Sequence, residues 1–149
     1  MSDTREFHLG DILSITTELL VSPRHVGGVY DILNFMTGDT LWTHQLPRAG
    51  RECRPWLERQ HPHLSASALA PDVEALSWRL SNRGEQPPEP IVEQWLAGLV
   101  EVHGEMHPVR PIPNEEHEVV DPFIEAMEQV GPERVFAVNV DGRAPEPGK

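Results

Sequence analysis

Prolines at fifteen positions constrain this chain more than any other feature, because they divide it into stretches too short for long helices or a large sheet. A proline ring fixes φ and removes a backbone N–H, so proline opens or ends a helix more readily than it sits inside one. Many short elements joined by stiff connections are therefore expected over the 149 residues. A chain of that length supports one domain with a real core. Apolar content of 38% is compatible with a globular chain.

Between the prolines the apolar residues mostly follow helical spacing. Leu9, Ile12, Leu13, Thr16, Leu19 and Leu20 predict a first helix, with a break expected near Glu18. Ser22 as N-cap and Pro23 at the first helical position predict the start of a second, and Gly38 its left-handed end. Its inner face would be Val26, Val29, Tyr30, Leu33 and Met36. Gly27-Gly28 within it costs about 0.8–1 kcal/mol per glycine relative to alanine, and close approach of another backbone would offset that. Residues 40–62 predict a third helical segment, anchored by Leu41, Trp42, Leu46, Cys53, Trp56 and Leu57 and interrupted or kinked near Arg54, with Pro47 and Pro55 each near the start of a turn. Residues 67–83 predict a fourth helix. EQPPEP reads as a linker, and PIVEQWLAGLVEVHG as the clearest helix of the chain, with Glu93, Ala97 and Glu101 outward. A short strand is expected around Val109, a short helix at DPFIEAMEQVG and a valine-rich strand at ERVFAVNV.

The fold class that follows is mainly α (α+β): a compact bundle of about five short helices with a short C-terminal β-strand or small β-element. Residues 1–6 would be a flexible tail, 7–141 a single globular domain and 142–149 a disordered tail.

Charge is distributed unevenly. The net charge is −12, and residues 85–128 hold eleven acids against one base, Arg110. Phosphate would be repelled by that segment, so no direct nucleic-acid binding is expected; a basic protein surface would be attracted. No apolar run nears the roughly 18 residues of a membrane span. The start, MSDTREFHLGD, lacks the basic and apolar regions of a signal peptide, and Cys53 has no second cysteine to pair with. A cytoplasmic location and no membrane partner are expected; the oligomeric state is not legible.

No strong catalytic signature is present: no glycine-rich phosphate loop, no G-x-S-x-G elbow and no paired cysteines. HGEMH at 103–107 resembles a zinc-protease helix but lacks a glutamate beside its first histidine. His61 and His63 could share an ion, completed by His44 or Cys53, yet HPH at a helix end is also an ordinary capped turn, so no metal or cofactor is assigned. A Cys53–His44 nucleophile pair would need the two folded together, and a lone cysteine on an apolar face is core packing. The more suggestive group is a polar cluster at helix ends: His8, Asp11, Arg24, His25, Asp39, His44 and Arg48. It could hold an anion or carboxylate as a binding surface. Equally, salt bridges such as Arg24 to Asp11 or Arg48 to Asp39 would specify packing with no ligand. An acidic partner surface of Glu89, Glu93, Glu101 and Glu105 is the second candidate.

The stretches HLGDILSITT, LVSPRH, GVYDILNFMTGD, THQLPR and REC-x-PWL, in that order, resemble a family of small proteins carrying a domain of unknown function in bacteriophages, prophages and high-GC bacteria. EVHGE, the PIP loop and DPFIEAMEQVGPERVFAV extend the resemblance across nearly the whole chain. Glu18 departs from the pattern, standing where a glycine or similar turn residue is expected. The resemblance implies a setting in mobile genetic elements and supplies no catalytic residues. The expected function is a non-enzymatic protein-binding accessory or anti-defence factor whose partner is a host or phage protein with a basic surface. The alternative is a small enzyme with a His/Arg site formed by the first three helices.

Overall fold

The computed structural model describes residues 4–113, 115, 117 and 124–126. In chain order the elements are strand β1 (Arg5–His8) and helices α1 (Leu9–Thr16), α2 (Val26–Thr37), α3 (Leu46–Gln60), α4 (Ala70–Ser81) and α5 (Pro88–His103), then strand β2 (Met106–Val109). Short 3-10 turns at Thr43–Gln45 and Pro62–Leu64 flank α3. The protein is mainly α with a small two-stranded antiparallel sheet. No helix among the described residues is long and apolar enough to cross a membrane.

Helix α1 is the axis of the molecule. All eight of its residues are buried, and a helix covered on every side must sit at the centre of a fold. β1, α2, α3 and the turn at Pro62–Leu64 enclose it. Phe7, Leu9, Ile12, Leu13, Ile32, Leu33, Met36, Ala49, Cys53, Leu57 and Leu64 form the core around it. Among its buried polar residues Asp11 and Ser14 are hydrogen-bonded, whereas the Thr16 hydroxyl has no hydrogen-bond partner among the described residues. Ser14 Oγ donates to the Gly10 carbonyl (2.8 Å) and accepts from the Val21 and Ser22 amides, both at 3.0 Å. That hydroxyl fixes the chain as it leaves α1.

Arg5 and Glu6, expected in a flexible tail, instead belong to β1, so a strand opens the fold rather than only closing it. β1 pairs with β2 in the register Phe7 to His107, and the Leu9 amide extends the ladder to the Glu105 carbonyl at 2.7 Å. Burying Phe7 against Phe35, with ring centroids 5.4 Å apart, draws the segment onto the core. The strand expected around Val109 is β2.

Other differences have local causes. α1 stops at Thr16, and Glu18 adopts a left-handed φ of 65°, the geometry a turn residue needs at this break. Leu20, expected in the helix, is exposed beyond it. Ser22 and Pro23 do not start α2: residues 23–25 form a turn, His25 has φ 58°, and the helix begins at Val26. The Ser22 hydroxyl accepts from the Arg24 amide (3.1 Å) and is otherwise engaged with Asp11, which draws the chain away from a helical path. Val26 is exposed, and Ile32 takes its place in the core. Gly38 ends α2 at φ 72°, as expected.

α3 runs unbroken through Pro55, so of the interruption or kink expected there the interruption does not occur. Ala49, Cys53 and Leu57, spaced four apart, bury one stripe while Pro55 faces solvent, so the loss of one hydrogen bond is tolerated. Trp42 is exposed rather than an anchor. Pro88, Glu89 and Pro90 form the first turn of α5 rather than a linker, since missing N–H groups are harmless there. α4 and α5 pack together, tied by the Trp95 indole donating to the Asp72 carbonyl at 2.9 Å. The expected helix at residues 121–131 (apart from 124–126), the strand at 133–140 and the tail at 142–149 lie outside the described residues.

Candidate functional site

The polar cluster predicted at the helix ends is divided between two networks. In the first, Asp11 is fully buried at the start of α1 and accepts from Ser22 Oγ and Arg24 Nη2, each at 2.5 Å. Arg24 reaches on to Asp31 (2.9 Å), which also takes a two-pronged contact from Arg5 at 2.6 and 2.9 Å. Burial pushes the Asp31 carboxyl up, but hydrogen bonds from Arg5 and Arg24 outweigh it and hold the group below the usual range. His8 caps α1, its Nδ1 accepting from the Gly10 amide at 2.9 Å. His25 is exposed on the turn before α2. Gly28 packs directly against this network: a Cβ there would collide with both Asp11 Oδ1 and Ser22 Oγ.

The second network begins at α3. Arg48 donates to Glu52 (2.7 Å) and, through Nε and Nη2, to Glu125 at 2.9 and 3.0 Å; buried Gln45 also donates to Glu125 (2.9 Å). The Arg48 contact holds the Glu125 carboxyl low despite burial. Asp39 pairs with His117 (3.0 Å), not with Arg48 as the sequence suggested, and the other nitrogen of His117 meets Glu52 at 2.6 Å. His44 lies beside Trp42 near the start of α3. Each imidazole nitrogen of His117 therefore faces a carboxylate.

That clamp has a definite pH dependence. Burial lowers the His117 pKa, but its hydrogen bonds to Asp39 and Glu52, with their charges, raise it above the ordinary 6.5. A raised folded value means the stabilisation is complete below pH 6.5 and is lost as pH rises through the folded value. Melting temperature should therefore fall as pH rises above the ordinary 6.5, and the His117→Gln variant should show a flatter profile there. An unchanged slope in the variant would refute the clamp.

The four acidic residues of the second candidate surface, Glu89, Glu93 and Glu101 on α5 and Glu105 just beyond it, are all exposed. Among the described residues no basic group pairs with Glu89, Glu93 or Glu101, while Glu105 lies 3.8 Å from His8. Glu89 and Glu93 edge a groove of about 270 Å³ whose floor includes Leu20, Val21, Pro23, Val92 and Leu96. The groove thus combines apolar lining residues with Glu89, Glu93 and His25.

A third grouping joins residues distant in sequence. His61 follows α3, His63 lies in the turn after it, and His107 is in β2; one ring nitrogen from each lies within 4.8 Å of the others. His103, the last residue of α5, stacks 5.4 Å from the His63 ring. His61 Nε2 contacts the Pro108 carbonyl (2.6 Å) and His107 Nε2 the Gly104 carbonyl (3.0 Å). Burial and the neighbouring rings of His103, His61 and His107 lower the His63 pKa. Cys53 takes no part: it is buried, and burial pushes its thiol up to about 12, too high for a nucleophile at neutral pH.

Residues 7–67 match the model of a family described as a domain of unknown function, DUF7736. No curated protein and no solved structure matches the chain. The DUF7736 segment spans β1 from Phe7 through α1, α2, α3 and the turn at Pro62–Leu64. It holds the motifs from HLGDILSITT to RECRPWL, whereas EVHGE and the later stretches fall outside it.

Within the DUF7736 segment lie all seven residues of the predicted polar cluster, including the whole Arg24–Asp11–Asp31 network apart from Arg5. The acidic face of α5 lies beyond it. Sequence reading missed His117 and Glu125 as partners of Asp39 and Arg48, because pairs 77 and 78 residues apart carry no spacing signal; Glu52, four residues from Arg48 on one helix, was signalled by its i, i+4 spacing. It also sought the companion of His61 and His63 in His44 or Cys53; the structure brings His107 there instead. The HxxxH spacing in HGEMH was the available clue.

Proposed function

We propose that this protein is a non-enzymatic protein-binding factor that docks a basic segment of a partner protein on the acidic face of α5. The observation that carries this reading is the row Glu89, Glu93 and Glu101, exposed and without basic partners among the described residues, beside a groove with an apolar floor. Acidic rims steer basic partners and set specificity, while apolar floors accept an anchoring side chain. The proposal extends to an accessory or anti-defence role in a phage or other mobile element, acting in the cytoplasm; the resemblance of the first half of the chain to proteins of that setting supports it. The same features argue against the enzyme alternative. Arg24 is committed to Asp11 and Asp31, and Arg48 to Glu52 and Glu125.

Capture of host proteins by the untagged chain at low and high salt tests this reading. Partner binding should weaken at least tenfold when Glu89 and Glu93 are both changed to Lys, and should weaken as salt screens the charges. Both positions are exposed, so folding stability should move by no more than about 0.5 kcal/mol. Partners indifferent to charge reversal, or none at all, would overturn the proposal.

A further inference from the structure

We propose that His61, His63 and His107 form a binding site for a divalent transition-metal ion of the zinc class. Three imidazoles from separate elements converge, with one ring nitrogen from each within 4.8 Å of the others. Zinc bound to nitrogen at about 2.0–2.1 Å places such nitrogens about 3.4 Å apart, so the rings must draw inward by about an ångström. His63 is exposed and can rotate to do so.

Backbone carbonyls fix the tautomer of the two buried rings. A carbonyl oxygen can only accept, so His61 donates Nε2–H to Pro108 and His107 donates Nε2–H to Gly104. Each neutral ring is thereby left with its lone pair on Nδ1. Such outer hydrogen bonds to backbone carbonyls fix the tautomer and orientation of metal-binding histidines. They explain the two buried rings without a metal, but they do not explain why exposed His63 is gathered against them.

Backbone electrostatics favour a cation at the same place. α3 ends at Gln60 and α5 at His103, so two helix C-termini, each with partial negative charge, lie beside the cluster. Gly104, with φ 98°, makes the reversal that returns the chain from α5 into β2 and brings His107 to the group. An all-imidazole set suits zinc, cobalt, nickel or copper, and excludes the hard ions calcium and magnesium, which require oxygen ligands. Three protein ligands leave a fourth position for water or another ligand on the solvent side.

The test uses untagged full-length protein stripped with a chelator and then equilibrated with Zn²⁺ or titrated with Co²⁺. Elemental analysis should find one Zn²⁺ per chain, and Co²⁺ should give the intense visible absorption of a low-coordinate site. His63→Ala, at an exposed position, should weaken Co²⁺ binding at least tenfold while its circular dichroism matches the wild type. His107→Gln should do the same, and His44→Ala should bind as the wild type. Failure of the wild type to bind either ion would overturn the proposal. So would wild-type affinity in both His63→Ala and His107→Gln, or loss of binding in His44→Ala.

Discussion

Removing the half-exposed Arg24 side chain is expected to cost about 3–5 kcal/mol, the range found when one partner of a buried ion pair is deleted. Surface arginines ordinarily contribute far less, since exposed pairs are worth about 0–1 kcal/mol. The difference lies in the partner. Asp11 is 0% exposed, and Arg24 is the cation that compensates its charge. In Arg24→Ala that carboxylate would lose its guanidinium partner and keep the Ser22 hydroxyl. Asp11→Asn should be milder, because the guanidinium left behind still reaches Asp31 and solvent. The double variant should then recover part of the loss, since a neutral amide needs no cation. Urea denaturation of the two single variants and the double variant measures this directly. Strict additivity across the cycle would show that the two groups are not coupled.

Alanine substitutions at the adjacent glycines should act in opposite directions. At Gly28 a methyl group would overlap both Asp11 Oδ1 and Ser22 Oγ, neither of which is the free end of a mobile side chain. Overpacking of this kind costs about 1–3 kcal/mol. Displacing Asp11 from Arg24 adds to it, so a loss of about 3 kcal/mol or more is expected. At Gly27 an added Cβ meets nothing within 4 Å. Gly27→Ala should therefore stabilise α2 by about 0.5–1 kcal/mol through helix propensity and a less flexible unfolded chain. Thermal melts of the two variants decide the matter. A neutral Gly28→Ala would mean that the carboxylate is not held where the structure places it.

Both results bear on what a sequence of this kind discloses. Gly27-Gly28 stood out because each glycine weakens a helix, and a close approach was the expected reason. The reason holds for Gly28 alone, and what approaches is a buried carboxylate and a hydroxyl rather than a backbone. The Arg24–Asp11 pair is legible in the sequence as a candidate salt bridge, since both residues sit near helix ends. Arg48 was harder: its partners are Glu52, one turn along the same helix, and Glu125, far along the chain.

Periodicity and punctuation carried most of the helical architecture. Apolar spacing marks α1 through α5, Gly38 marks the end of α2, and the outward position of Glu93 and Glu101 follows from the i, i+4 pattern of α5. These signals are local, acting within a turn or two of helix. Where the chain starts α2, whether Pro55 breaks α3 and whether residues 5–8 form a strand are settled by competition between local preference and packing. Ser22 abandons its cap for Asp11, the buried stripe Ala49–Cys53–Leu57 outweighs a lost hydrogen bond, and Phe7 brings a polar segment onto β2. The histidine group depends on tertiary structure most of all. HPH and HGEMH are separated by four decades of sequence and become neighbours only because α3 and α5 end at the same corner of the fold, a long-range packing outcome that no local pattern encodes.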